Sequence, residues 1–521
     1  MNAKYYLIPL AIAAVLGTAS CVKLTEDPKG DLTAKSYFTS QNDLDASVSS
    51  IYQRLSVDGA WAFTNKSTSY FGADDLTTDP GLNKQDFREF DKLEGTAING
   101  SIRAQWSGPW YAIYQANNVL ANYERVPTID DNAKLAVTRS VGQAYFLRGL
   151  SYFMLVRTFG NIPLVTKPLA TDDRPVQVGP DKIYELIISD LKTAASMLPD
   201  KWDGKDIGRA GALASRALLA NVYLTMAGWP LNQTSNFALA AAEADAVIKS
   251  KKYELVPEYA DVFTTNFNSE AIFGIVFNVG GNAPNRSFGS TSVPLEESGA
   301  DGSGGWDDFY PEVNFYLAAP QCKRTDATFY TTFKLKDDKG KFRQVPWSSA
   351  ETRVQHPYYK KFRAGLAGDG VRETATEILT IQPSTNKTTD VIRYAETLLT
   401  YAEASAMATG NPSGDAYNAI NLVRHRAGLP DLTPGLSAAA FRDSITFERK
   451  YEFAGEFGQR WFDIVRLQLL PKVISERSKD DKVEQNQLNE KYAGTPATRY
   501  YAPIPFNDLV QNPQWNQNPG Y

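Results

Sequence analysis

A helix that is apolar on nearly every side cannot face water, and this chain contains two. Val141–Phe159 carries Arg148 and Arg157 as its charges among Tyr145, Phe146, Leu150, Phe153, Leu155 and Val156. Arg209–Ala227 has Arg216 as its single interior charge, and its many alanines permit close helix–helix approach. Segments of this kind need neighbours on most of their circumference. The flanking sequence supplies them. Trp110, Ile113, Tyr114, Asn117, Leu120 and Tyr123 recur at three- and four-residue spacing, and Asp181–Leu198 lines up Tyr184, Ile187, Ile188, Leu191 and Ala194. Phe237–Lys251 is a shorter helix. Phe159-Gly160-Asn161-Ile162-Pro163 and Pro199 supply the stops. Consecutive helices separated by such stops pair as antiparallel hairpins of roughly 34–40 residues, the period of a tetratricopeptide-type array.

The pattern lapses twice and returns once. Asp58–Ile102 and Gly280–Asp390 have little periodicity; the second holds a possible strand just before it, Ile272–Phe277, and opens on a glycine-rich run, Gly280–Gly305. Helical spacing resumes at Tyr394–Ala408 and Ala416–Ala427. It continues through Ala438–Leu469, with breaks near Gly455 and Gly458. The expected fold is therefore mainly α: a tetratricopeptide-like scaffold of about four helix pairs over residues 33–270 and 390–470. Loop-rich insertions occupy 58–102 and 280–390, and the proline-locked end from Tyr501 to Tyr521 is extended.

Function classes narrow by what the chain lacks. Net charge is −5 with Lys and Arg scattered, which argues against nucleic acid as a partner. His356 and His425 are far apart, so a His/Cys zinc site and serine–histidine catalysis have little to draw on. Asp74, Asp75 and Asp79 are hard oxygen donors suited to Ca²⁺, but their spacing matches no defined loop, and no cofactor is expected. Glu396 and Glu403 share a helix face about 10 Å apart, and Glu452 and Glu456 are one turn apart. Carboxylate pairs at roughly 5–10 Å are what glycoside hydrolysis uses. The nearby Arg393, Arg424, Arg426, Arg449, Arg460 and Arg466 make buried ion pairing the favoured reading. Arg148 is assigned the same role.

Aromatic residues make up 12% of the chain, and many fall in the two insertions. Trp and Tyr faces stack on the C–H faces of sugar rings while neighbouring polar groups bond the hydroxyls. Trp61, Tyr70, Asp75, Trp306, Asp308, Tyr310, Trp347 and Tyr358 are the candidate ligand contacts.

At the start, Lys4 precedes an apolar run from Tyr5 to Leu16, then Gly17, Thr18, Ala19, Ser20 and Cys21. That is a secretory signal too short to span a bilayer, ending on a cysteine suited to lipidation. Residues 1–20 are expected to be cleaved and Cys21 acylated, with the polar Val22–Leu32 as a tether.

Many blocks in order resemble the SusD/RagB family. They include Gln143-Ala144-Tyr145-Phe146-Leu147-Arg148, Phe159-Gly160-Asn161-Ile162-Pro163-Leu164, Arg393-Tyr394-Ala395-Glu396 and Tyr401-Ala402-Glu403-Ala404. Asn421–Pro430, Glu448–Phe453, Arg460–Arg466 and the ending Gln517-Asn518-Pro519-Gly520-Tyr521 continue the match. The resemblance implies a single domain over 21–521, and a surface lipoprotein of the outer membrane in a Bacteroidota bacterium. It also implies a non-catalytic protein that binds nutrient oligomers, usually glycans and in RagB-type members peptides. Such a protein caps a SusC-like TonB-dependent transporter. The matching blocks are scaffold; the ligand residues of such proteins lie in the variable loops. The anchor is testable directly: palmitate labels the intact chain and not Cys21→Ala, and label surviving that substitution removes the lipoprotein assignment.

Overall fold

The computed structural model describes residues 37–56, 68–79, 82–170, 173–277, 292–297, 307–363, 387–456, 458–478 and 499–521. Cys21, Trp61 and Trp306 lie outside them. Helices of eight residues or more are α1 Gln41–Ser56, α2 Gly100–Asn122, α3 Asp131–Phe159, α4 Pro180–Met197, α5 Ala212–Met226, α6 Asn236–Ser250, α7 Tyr394–Thr409, α8 Gly414–Ala427, α9 Ala438–Glu452 and α10 Gln459–Arg466. From α1 to α8 each long helix packs on the next in sequence, so α1/α2, α3/α4, α5/α6 and α7/α8 form successive pairs, and α9 packs against α7. The mainly α, tetratricopeptide-like expectation matches this arrangement.

Local chemistry sets the ends. α3 begins ten residues before its apolar stretch because the Asp130 carboxylate accepts the Ala133 N–H at 2.7 Å and caps an exposed first turn. Pro180 opens α4, where a missing N–H costs nothing. Ser413 and Ser437 cap α8 and α9 through the N–H groups of Ala416 and Ala440, each at 3.2 Å. The apolar helices are buried as expected, and their charges have dedicated partners. Arg148 grips Asp190 of α4 through two bonds of 2.8 and 2.7 Å and donates to Asn117 of α2 at 2.8 Å, tying three helices together. Arg157 lies between the rings of Phe153 and Phe462, 3.7 Å from each centroid, and burial pulls its pKa down to about 10.

The long pattern from Ala438 to Leu469 splits into α9 and α10 at Gly455 and Gly458, with φ of 72° and 73°. A side chain there would be strained and would also collide. A Cβ on Gly455 would stand 2.7 Å from the Tyr359 ring, and one on Gly458 would stand 2.7 Å from the Tyr70 ring. The break exists so that two rings from the insertions can lie on backbone.

The strands occur in pairs: β1 Ile162–Pro163 with β2 Gln177–Val178, β3 Ala271–Ile275 with β8 Thr389–Arg393, β4 Phe329–Tyr330 with β7 Tyr358–Tyr359, and β5 Thr332–Lys336 with β6 Phe342–Pro346, all antiparallel. The β3–β8 ladder matters most. It joins the last residues before the second insertion to the first residues after it, so the insertion leaves and re-enters the scaffold at one place.

Beneath that ladder is a buried charge network. Arg393, at the end of β8, donates to Glu270 at 2.5 Å, Glu452 at 3.0 Å and Glu456 at 2.9 Å. Arg426 of α8 bonds Glu270 at 2.7 Å and Glu452 at 2.6 Å. From the second insertion, Arg324 reaches Glu448 at 2.5 Å and Glu452 at 3.1 Å, and Lys361 reaches Glu456 at 2.7 Å. Burial opposes ionisation of Glu452, yet the guanidiniums of Arg426, Arg393 and Arg324 win and hold its pKa at about 2. Removing one partner from such a network strands the others. Glu452→Ala is expected to cost about 3–5 kcal/mol in chemical denaturation; a loss below about 1 kcal/mol would show the network to be dispensable. Because the folded pKa lies below the ordinary 4.5, this stabilisation is present above that pH and drains away toward pH 2.

Candidate ligand-binding surface

The two insertions meet and are pinned together. Thr77 and Tyr310 exchange backbone hydrogen bonds of 2.9 and 3.1 Å. Next to them the Thr78 hydroxyl donates to the Asp308 carbonyl at 2.7 Å. Lys84 pairs with the Asp308 carboxylate, and Arg353 clamps both Asp79 and Asp307. Tyr358 donates its hydroxyl to Asp307. Burial pushes the Asp307 carboxyl up to about 6, against the pull of Tyr358 and Arg353.

Under this charged seam the second insertion builds its own small core of Tyr310, Phe333, Leu335, Val345, Val354 and Tyr358. The Tyr358 ring stands edge-on to Phe333 at 5.4 Å and to Tyr310 at 5.2 Å. Trp347 sits half-buried at the margin of that core. Its backbone N–H donates to Thr331 at 2.9 Å, and its ring meets Tyr316 edge-on at 5.6 Å. Trp347, Tyr316 and Tyr330 are each half-buried, and the Arg353 side chain keeps 41% of its surface open. The result is a rim at which Trp347, Tyr316, Tyr330 and the Arg353 side chain each keep part of their surface open.

With that geometry in view, the family follows. Residues 269–521 match the SusD family model, and residues 26–224 match a second model described as starch-binding and associating with the outer membrane. This chain belongs to the SusD family. It is 28% identical to SusD-like protein P2 of Formosa agariphila, over 98% of each chain. It is 25% identical to a SusD-like protein of Bacteroides ovatus, over 89% of this chain and 82% of the relative. Among solved structures, a SusD homolog from Bacteroides thetaiotaomicron superposes with a TM-score of 0.77 at 24% identity, covering 94% of this chain and 98% of that one. A laminarin-binding SusD-like protein gives 0.71 at 25% identity, covering 93% and 100%. Surface glycan-binding protein A of B. thetaiotaomicron, solved with laminarihexaose, gives 0.74 at 23%, covering 92% and 100%.

Several residues expected to touch ligand do something else. Tyr310 and Tyr358 are 0% exposed and fill the small core, so neither has a ring face to offer. Tyr70 is 3% exposed and packs over Gly458 and edge-on to Phe462 at 5.1 Å. Asp308 is buried against Lys84. Asp75 is buried too, accepting the Gly455 N–H at 2.8 Å. The physical reason is common to all five: an insertion with only short helices must still bury apolar surface and pair its charges, and these residues do that. Trp347 alone among the described candidates keeps surface at the rim.

The acidic group weighed for Ca²⁺ is likewise engaged. Asp74 is held by Arg460 at 2.6 Å and Lys450 at 2.9 Å, and Asp79 by Arg353. Among the described residues no cluster of three His, Cys, Asp or Glu is placed for a metal ion. The glutamate pairs weighed for hydrolysis are also occupied. Glu403 takes two bonds from Arg466 at 2.5 and 2.8 Å, and Glu452 and Glu456 belong to the buried network. Glu396 and Glu456 border a cavity of about 40 Å³. That is room for a water, not a sugar ring. Sequence spacing passed over Arg353, whose role depends on two aspartates remote in sequence.

Asp75 gives this region a pH signature. Burial, reinforced by neighbouring Asp74, pushes its pKa up to about 7 from the ordinary 3.8. The neutral carboxyl is favoured in the folded state, so its contribution is whole below pH 3.8 and lost as pH rises through 7. Asp75→Asn should match the wild type in stability at low pH and exceed it by at least about 1 kcal/mol at pH 8. Equal stability curves across that range would mean the Asp75 carboxylate is not strained.

Proposed function

We propose that the protein captures oligosaccharide or polysaccharide at the cell surface and passes it to a SusC-like TonB-dependent transporter. An acylated Cys21 would hold it on the outer membrane. A binding role is favoured over hydrolysis: among the described residues Glu403, Glu452 and Glu456 are committed to arginines, and proton transfer needs a carboxyl within reach of the bond. The observation that carries the reading is the pinned rim of the two insertions, with Trp347 and Arg353 partly exposed, in a chain of this family. A partly exposed tryptophan offers stacking to one sugar face, and the open part of the Arg353 side chain offers hydrogen bonds to hydroxyls. A relative whose description names laminarin supports glycan over peptide.

Affinity electrophoresis in gels containing laminarin or starch tests it. Trp347→Ala, and Trp306→Ala from the same insertion, are expected to weaken retardation about tenfold per folded molecule, equivalent to about 1.4 kcal/mol. Wild-type retardation by both variants would remove the rim as the ligand surface. Binding of peptides with no retardation by any polysaccharide would replace glycan with peptide.

A further inference from the structure

A second aromatic groove lies away from the insertions. It runs between α2, residues 163–169 with 173–175, and the C-terminal residues 508–515, and encloses about 550 Å³, within the range of small-ligand sites. None of its lining residues belongs to the rim that carries Trp347.

Its floor is a ladder on one stripe of α2. Trp106, Trp110 and Tyr114 follow at four-residue spacing, so successive Cβ atoms are roughly 5–6 Å apart, the scale of one pyranose ring. Trp106 is 2% exposed and anchors the ladder; its indole N–H donates to Asp508 at 3.1 Å, and its ring lies 5.5 Å from Trp110. Exposure then rises along the helix, with Tyr114 at 51% and the adjacent Tyr111 at 49%. Trp515 closes the opposite wall, 6.2 Å from Trp106, and is fixed there by its N–H bond to the Pro175 carbonyl at 2.8 Å. Trp110 and Trp515 are half-buried, so the groove is built from rings held by neighbours and open on one side.

The polar lining argues for a neutral, hydroxyl-rich occupant. Arg54 and Lys167 balance Asp173 and Asp508, which leaves no net charge to attract an anion or a cation. Asp508 and Asn512 stand one helical turn apart on the wall, and the Asn512 amide is oriented by its 2.9 Å bond to the Asp508 carbonyl. Acceptors and donors beside aromatic rings are the chemistry of a sugar subsite. Tyr114 keeps 51% of its surface open, and Tyr111 keeps 49% although the Arg54 guanidinium lies 5.5 Å from its ring centroid, so both leave ring surface for an occupant.

We propose that this groove is a second glycan subsite, taking neutral sugar units of a polysaccharide whose other units occupy the insertion rim. Resting on the glycan-binding reading above, it adds avidity: one chain held at two places dissociates far more slowly than from either alone.

The test uses the full-length protein in laminarin and starch gels. Four forms are compared: wild type, Tyr111→Ala/Tyr114→Ala, Trp347→Ala and the three substitutions together. Tyr111 and Tyr114 are about half exposed, so the double variant should melt with the wild type. It is expected to lose retardation about fivefold or more, and the triple variant to migrate as in a gel without polysaccharide. Wild-type retardation of the double variant overturns the groove, whatever Trp347→Ala does. If that same variant instead fails to co-purify with the transporter, the groove is a protein interface. A wild type retarded in neither gel overturns the groove together with the glycan reading. Loss confined to Trp347→Ala leaves the rim standing and the groove refuted.

Discussion

The arginine–glutamate network beneath the β3–β8 ladder is the constraint on which the rest of the fold depends. Taking charges out of water costs several kcal/mol per ion, and here Arg393, Arg426, Arg324 and Lys361 are all buried with Glu270, Glu448, Glu452 and Glu456. The desolvation is offset because each guanidinium spans more than one carboxylate. That geometry can be met only when the end of the first scaffold half, the insertion, β8, α8 and α9 are all in position at once. The network stabilises little that apolar packing could not, but it admits one arrangement of five chain segments.

Its position explains how an irregular insertion becomes rigid. The ladder closes the insertion at its base, Arg324 and Lys361 nail it to the scaffold, and its own small core of Tyr310, Phe333 and Tyr358 fills the middle. Arg353 then ties it to the first insertion through Asp79 and Asp307. Loops held this way can present a rim with fixed ring and charge positions, which lowers the ordering cost of binding a flexible glycan.

Much of the scaffold was legible. The apolar circumference of Val141–Phe159 required burial, glycine and proline marked helix ends, and Arg148 was identifiable as an ion-pair partner because one guanidinium on an apolar helix needs a carboxylate. The glutamate–arginine excess near Glu448 and Arg460 pointed to pairing, and the pairs are there. The ligand surface was less legible. Aromatic residues in aperiodic segments are ambiguous between packing and binding, and Tyr70, Tyr310 and Tyr358 fell on the packing side. Trp110 and Tyr114 show the converse. Their helical spacing pointed inward, yet the stripe leaves the core partway along α2 and lines a groove.

The amino-acid sequence by itself determined the helices, their order and their pairing, because period, caps and breakers act over a few residues and need no distant partner. It also carried the family, in scaffold blocks whose spacing is local. Only the tertiary structure decided which aromatics are exposed, which aspartates share Arg353, and why Gly455 and Gly458 interrupt a helix. Each of those turns on residues up to hundreds of positions apart. Burial and charge pairing at such distances follow from how the segments close on one another, and local pattern contains no record of that closure.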